Sequence, residues 1–223
     1  MNLMEAMQAR HSVRQYQETT LREEDANLLQ EEIDACNAQS GLHIQLVCYE
    51  PRAFAGFMAR YGKFNGVTSY IALIGKKEPG LEEACGYYGE RLVLRAQQLG
   101  LNTCWVAMTY SKVKNAFTIG AGEKLCVVIA VGYGKTQGVA HKSKSIREVV
   151  KTEPPYPDWF TAGVNAALLA PTAMNQQKFT FALHRNCVSA KAGTGFYTKI
   201  DLGIAKYHFE LGAGSDAFVW EKA

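Results

Sequence analysis

The chain has 223 residues, 48% of them hydrophobic and 20% charged, a size and balance that fit one ordinary globular domain with a substantial core. A net charge of +3 with no long lysine or arginine run argues against a polyanion such as nucleic acid as a partner. The longest apolar runs, such as CVVIAV at 126–131, are far too short to span a membrane.

Glu5 interrupts the N-terminal apolar stretch, which argues against a signal peptide and makes the cytoplasm the expected location. The six cysteines are nowhere closer than twelve residues, so neither a zinc-type CxxC pair nor a redox CxxC is present, and buried free thiols are expected. The five histidines form no HxxxH or HxH, so no metal site is expected.

In chain order, Leu3, Met4 and Met7 fall at helical spacing and predict a short helix running up to Arg10. Thr20-Leu-Arg-Glu23 reads as a capping box opening a second helix, with Leu28, Leu29, Ile33 and Cys36 as its buried stripe. Between them, ARHSVRQY at 9–16 sets two arginines four residues apart in a tight connection, where donors can converge on one anion. A solvated charged loop is the plainer reading of the same residues.

Strands are predicted at 43–49 and 67–74, a long helix over 81–99 stopped by Gly100, and a central, fully apolar strand at 125–131. The proline cluster of 152–157 predicts an extended connection. Beyond it come a helix with Phe160, Val164, Ala167 and Leu168, a strand at 179–183, a helix from about 200 to 211 stopped by Gly212, and a last strand at 217–220. The order helix, strand, helix, strand thus occurs twice, which supports a diverged duplication. No GxGxxG lies between a strand and a helix, so a nicotinamide dehydrogenase of Rossmann type is a poor reading.

Four separated stretches resemble one family, the FMN-dependent nitroreductases. ARHSVRQY resembles its opening signature; Leu169-Ala-Pro-Thr-Ala-Met-Asn-Gln-Gln-Lys-Phe179 its Ala-Pro-Ser-x-x-Asn-x-Gln-Pro-Trp motif; LRAQQLGLNTCWV at 94–106 its helix-end segment; Gly132-Tyr133 with His141-Lys-Ser-Lys-Ser145 its final strand and basic loop. The resemblance implies an α+β fold, α/β-like, with a mixed sheet flanked by helices. It implies that Arg10 and Ser12 meet the phosphate and ribityl end of FMN, with His11 contributing its backbone, and that Arg14 reaches the pyrimidine edge, where charge builds when the flavin is reduced. Asn65 falls where the family often has an amide facing that edge, Met108 or Thr109 where a backbone N–H faces the reactive nitrogen, and Lys142 and Lys144 where cations meet the phosphate.

In dimeric members the Pro-Ser-x-x-Asn segment lies early and reaches into the partner's site. Here Pro171, Thr172, Ala173 and Asn175 follow residue 170, and no second Arg-x-Ser-x-Arg occurs. The chain resembles a small branch in which one chain imitates the dimer: a first half at 1–151, a connection at 152–157 and a truncated second half at 158–223, packed as one domain. A monomeric pseudo-dimer is expected, with an exchanged homodimer as its rival. The implied activity is electron transfer from NADH or NADPH to nitroaromatic or quinone-like acceptors by a ping-pong scheme, with no residue acting as acid or base; the rival is a non-enzymatic flavin- or ligand-binding descendant.

Overall fold

The computed structural model describes residues 1–221, apart from the side chain of Ser215, so Lys222 and Ala223, the last residues of the expected second half, lie outside the described residues. The elements are α1 (Leu3–Ala9), α2 (Glu23–Ser40), β1 (Gln45–Val47), α3 (Phe57–Tyr61), β2 (Ser69–Lys76), α4 (Leu81–Gln98), β3 (Asn102–Val106), β4 (Glu123–Gly132), α5 (Ile146–Val149), α6 (Asp158–Ala167), β5 (Phe179–His184), β6 (Cys187–Ala192), α7 (Thr198–Ala213) and β7 (Val219–Trp220). Two sheets form. One has the order β1-β2-β4-β3 and is antiparallel throughout; the other has the order β5-β6-β7, with β6 and β7 parallel. The α+β class and the central place of β4 are as expected.

Alternation on β2 and β4 sends side chains into two cores. Ile71, Leu73, Val127 and Ile129 join a large cluster with residues of α2, α4, α6 and α7, including Phe160 and Phe209. Tyr70, Ala72, Val128 and Ala130 face a smaller cluster with Phe54 and Phe64. Because the large cluster draws on both sides of the proline connection, the chain packs around a shared core.

Helices α4 and α7 cross in close contact. A Cβ at Gly86 would stand 2.0 Å from the carbonyl oxygen of Ile200, and one at Gly203 would stand 2.0 Å from that of Glu83. Each glycine therefore admits the other helix's backbone.

Several boundaries differ from the sequence expectation. Helix α2 starts at Glu23, not at Thr20, and has no side-chain cap of its own. Its N-cap is Arg22, whose backbone N–H donates to the Tyr133 hydroxyl at 3.0 Å, while that hydroxyl donates to Asp25 at 2.6 Å. A partner more than a hundred residues away displaces the local capping box. Leu28 is only half-buried, and Asp25 joins Leu29, Ile33 and Cys36 on the buried stripe. Helix α7 runs through Gly212, where a Cβ would stand 2.7 Å from the Ala162 oxygen of α6, and ends at Gly214, whose φ is +81°. Gly212 thus marks a close helix contact, and residues 215–217 form a 3-10 turn before the two-residue β7. Strands β3 and β6 were not expected. No helix among the described residues is long and apolar enough to cross a membrane.

Candidate functional site

Residues 10–16 are extended rather than helical because they lie against strand and loop backbones. Ser12 bridges Thr103 of β3, Val13 N–H donates to Thr103 O at 3.0 Å, Gln15 bridges Asn65, and Tyr16 bridges Gly134. Val13 and Tyr16 are buried, Gln15 is half-buried and Arg14 is exposed.

Arg10 behaves differently from Arg14. It is 3% exposed, its Nε lies 3.7 Å from Glu90 Oε1, and that Nε has no hydrogen-bond partner. Glu90 is fully buried on α4 and takes a hydrogen bond from Trp105 Nε1 at 2.9 Å. His208 of α7, also fully buried, stands 2.9 Å from Glu90 through Nε2 and 3.1 Å from the Ala166 carbonyl through Nδ1. The carbonyl only accepts, so Nδ1 carries a proton, and a further proton lies between Nε2 and the carboxylate. Burial pulls the Arg10 guanidinium below its usual range, and Glu90 opposes that pull. Burial likewise holds the His11 imidazole down, with Arg10 and His141 acting in the same direction.

Arg14 and Asn65 are brought together. Asn65 N–H donates to Arg14 O at 3.0 Å and Tyr16 N–H to Asn65 O at 2.9 Å, and both side chains are exposed. The Arg14 guanidinium stands 5.9 Å from the Phe64 ring centroid, which holds it over an aromatic face. Thr109 packs on the same loop, since a Cβ at Gly62 would stand 2.7 Å from Thr109 Cβ; Met108 beside it is exposed. Cys104 lies beneath: burial pushes its thiol up, while Arg14, Ser12 and Arg10 pull it down.

The second group gathers around residues 171–177. Thr172 Oγ1 accepts from Gln177 N–H at 3.0 Å, Asn175 Nδ2 donates to Lys142 O at 2.9 Å, and Lys144 Nζ donates to the carbonyls of Gln176 and Gln177 at 3.1 and 2.9 Å. Buried Asp201 of α7 accepts from Ala173 N–H at 2.9 Å and from Gln176 Nε2 at 2.7 Å, and burial pushes its carboxyl up to about 6. Met174, Asn175 and Gln177 have φ of 53°, 53° and 45°, so the loop is held in the left-handed region that non-glycine residues rarely adopt. The Lys142 side chain is exposed, while its carbonyl also accepts from Gln177 Nε2 at 2.9 Å.

The 134–145 loop joins the two groups within one chain. A Cβ at Gly138 would stand 2.7 Å from His11 Cβ and 3.1 Å from Ser12 O; farther along, His141 Nε2 and Ser143 Oγ reach Leu168 O at 3.0 and 2.9 Å. The residues that the sequence singled out thus form one belt: Thr109, Asn65, Arg14, Ser12, His11, the 134–145 loop and Asn175. Sequence reading missed Glu90, His208, Asp201 and Gln177. A glutamate followed by RLVL in the buried middle of a helix was the available signal for Glu90, and the Asn-x-Gln of the second motif that for Gln177; nothing local marked His208 or Asp201.

A four-stranded antiparallel sheet bearing an arginine-rich loop across the β3 edge, backed by crossed helices, defines an α+β fold of the nitroreductase type. The chain belongs to the family described as "Putative TM nitroreductase", whose model matches residues 2–213. A solved structure from Thermotoga maritima, titled a putative nitroreductase, is 22% identical, with a TM-score of 0.66, over 100% of this chain and 90% of that one. A putative nitroreductase from Desulfovibrio desulfuricans, solved in complex with FMN, is 16% identical, with a TM-score of 0.54, over 70% of this chain and 99% of that one. One from Parabacteroides distasonis, titled a putative NADH dehydrogenase/NAD(P)H nitroreductase, is 20% identical, with a TM-score of 0.52, over 67% and 97%. At these identities the structures share a fold. No curated protein matches the chain.

Proposed function

We propose that the chain is an FMN-dependent oxidoreductase that passes electrons from NADH or NADPH to nitroaromatic or quinone-like acceptors by a ping-pong scheme. The observation that carries this reading is the exposed Arg14–Asn65 pair beside Arg10, a nearly fully buried cation with an orphaned Nε. Buried polar groups are normally satisfied, so an unpartnered guanidinium N–H in a loop of this kind fits a site shaped for an anionic ligand. FMN would supply the electron chemistry when bound.

The protein's part is binding and electrostatics. Arg10 and Ser12 hold the phosphate and ribityl end, with the backbone of His11. Arg14 and Asn65 face the pyrimidine edge, where a fixed cation favours the negative charge that builds on reduction. Met108 and Thr109 border the reactive face. Lys142 lends charge to the phosphate end; Lys144, Pro171, Thr172, Ala173 and Asn175 form the opposite wall, the lysine chiefly by fixing the loop's carbonyls. Phe57 and Tyr61 on α3 are 75% and 73% exposed, whereas Phe54 and Phe64 are core; the exposed pair supplies aromatic surface for a flat acceptor.

The belt runs within one chain, and α2-β1-β2-α4, with α3 inserted between its two antiparallel strands, is matched by α6-β5-β6-α7. Both support a pseudo-dimer of halves 1–151 and 158–223 that holds one FMN and needs no partner subunit. Six free cysteines agree with a reducing cytoplasm.

The test is aerobic purification followed by FMN titration, light scattering and stopped-flow reduction by each nucleotide. A yellow monomer reduced by NADH or NADPH and reoxidised by a quinone is expected. Failure to bind FMN overturns the reading, and a bound flavin that neither nucleotide reduces leaves the non-enzymatic descendant. Flavin held only by dimers overturns the single-chain site.

A further inference from the structure

Strand β4 carries one residue too many for its partner. Opposite Leu73 and Ile74 of β2 lie Val127 and Leu125, so Cys126 is the extra residue of a bulge. A bulge breaks the alternation of side chains and re-aims the inserted one. Leu125 accordingly packs with the smaller aromatic cluster, whereas Cys126 and Val127 both face the α4 side. There Cys126 neighbours Cys85, which is fully buried on α4.

The two sulfurs differ in access and in charge. Cys126 is partly exposed and lines a cavity of about 360 Å³ with Glu82, Lys124, Tyr197, Thr198 and Lys199. The neighbouring Cys85 thiol holds Cys126 below its usual range; burial and Glu82 oppose that pull, and Lys124 aids it. Lys124 is itself paired with Glu82. The Cys126 thiol, together with burial, pushes Cys85 up. An accessible sulfur at a cavity, backed by a buried neighbouring thiol, is the arrangement of an attacking and a resolving cysteine. The remaining cysteines have other surroundings: Cys36 lies by Arg91 and Glu32, Cys104 by Arg14, Ser12 and Arg10, and Cys48 is exposed with its thiol pushed up by its local burial.

We propose that Cys126 and Cys85 form a second reactive site, independent of the flavin, that reduces a low-molecular-weight disulfide entering this cavity. Cys126 thiolate attacks one sulfur of the small disulfide, forming a protein mixed disulfide and releasing one small thiolate, which takes up the proton lost by Cys126. Cys85, giving up its proton, then attacks the Cys126 sulfur; the second small thiol leaves with that proton, and Cys85–Cys126 becomes a disulfide. Two protein thiols are oxidised and one small disulfide is reduced. Lys124 and Lys199 against the single Glu82 favour a carboxylate-bearing disulfide.

The experiment exposes the protein, reduced and then freed of reductant with whatever flavin it carries, to glutathione disulfide near neutral pH, followed by acid quenching and mass mapping. Wild type should lose two hydrogens and yield a cross-linked Cys85–Cys126 peptide, with Cys126 reacting about tenfold or more faster than the exposed Cys48, because the thiolate is the reactive species. Cys85→Ser should stop at one glutathione on Cys126, and Cys126→Ser should leave Cys85 unmodified. Cys85→Ala, which keeps the position apolar, replaces the serine variant should that one fail to fold. Reaction confined to Cys48 or Cys187, or a stable glutathione adduct on Cys126 of the wild type, overturns the proposal.

Discussion

The two loops facing each other across residues 134–145 are built on opposite principles. In residues 10–16 the backbone is pinned to its neighbours while Arg14 is exposed and the Arg10 Nε lacks a partner. In residues 171–177 the side chains are committed to the loop itself, to Lys142 and to Asp201, and the backbone is strained. The first loop therefore offers free donors, and the second a fixed shape. Charge recognition belongs to one and geometry to the other, a division that a motif comparison, which treats both as ligand sets, does not reveal.

The strongest way to break this comparison is to move one loop against the other. Gly203→Ala places a Cβ 2.0 Å from the Glu83 oxygen and 2.7 Å from the Tyr87 nitrogen, forcing α7, which carries Asp201, away from α4. Urea unfolding should show a loss of at least about 3 kcal/mol, and FMN affinity should fall although no proposed flavin contact is altered.

The charge of Asp201 sharpens the comparison next. Its carboxyl is raised to about 6 by burial, so the folded state binds the proton more tightly than the unfolded one. The stabilisation belongs to the protonated form: it is complete below the unfolded value near pH 4 and is lost as pH rises through about 6, roughly 2–3 kcal/mol in all. Wild type should thus lose stability from this group between those pH values, and Asp201→Asn should flatten that part of the profile in urea unfolding. An unchanged slope sets the burial argument aside.

Arg14→Ala removes an exposed donor that lies over the face of Phe64, and calorimetry should show FMN affinity falling by about tenfold to a hundredfold, the worth of one charge-assisted hydrogen bond, with stability nearly unchanged. Asn175→Ala should do the reverse, lowering stability by about 1 kcal/mol through a lost hydrogen bond and a left-handed alanine while changing FMN affinity less than Arg14→Ala. An equal or larger loss of affinity would make the second loop a direct ligand and erase the distinction.

Much of this was legible beforehand where the signals are local. The apolar run at 125–131 implied a central strand, and ARHSVRQY stood out by its chemistry before its place was known. What could not be read depended on distant neighbours. Strand β6, with Ser189 and Lys191 among its six residues, earns its place by pairing with β5 and β7 rather than by periodicity. Gly212 looked like a helix stop because crowding by α6 and release of φ leave the same letter in a sequence. Glu90 and His208 sit 118 residues apart, and only the crossing of α4 with α7 makes them a pair. At the site, the two arginines stood out as cations; that Arg10 is buried beside Glu90 and that Lys144 and Asn175 hold backbone carbonyls was not legible.

The cap that Tyr133 provides for α2 has a consequence for the order in which the chain folds. A helix whose first turn is tied to a hydroxyl 111 positions later cannot gain that contact until β4 has emerged and taken its place in the sheet. An excised peptide covering residues 19–41 should therefore be mostly coil in water. During synthesis α2 should form early only as a fluctuating turn, becoming persistent once the sheet has assembled, so protection of its first amides against hydrogen exchange should arrive together with that of β4.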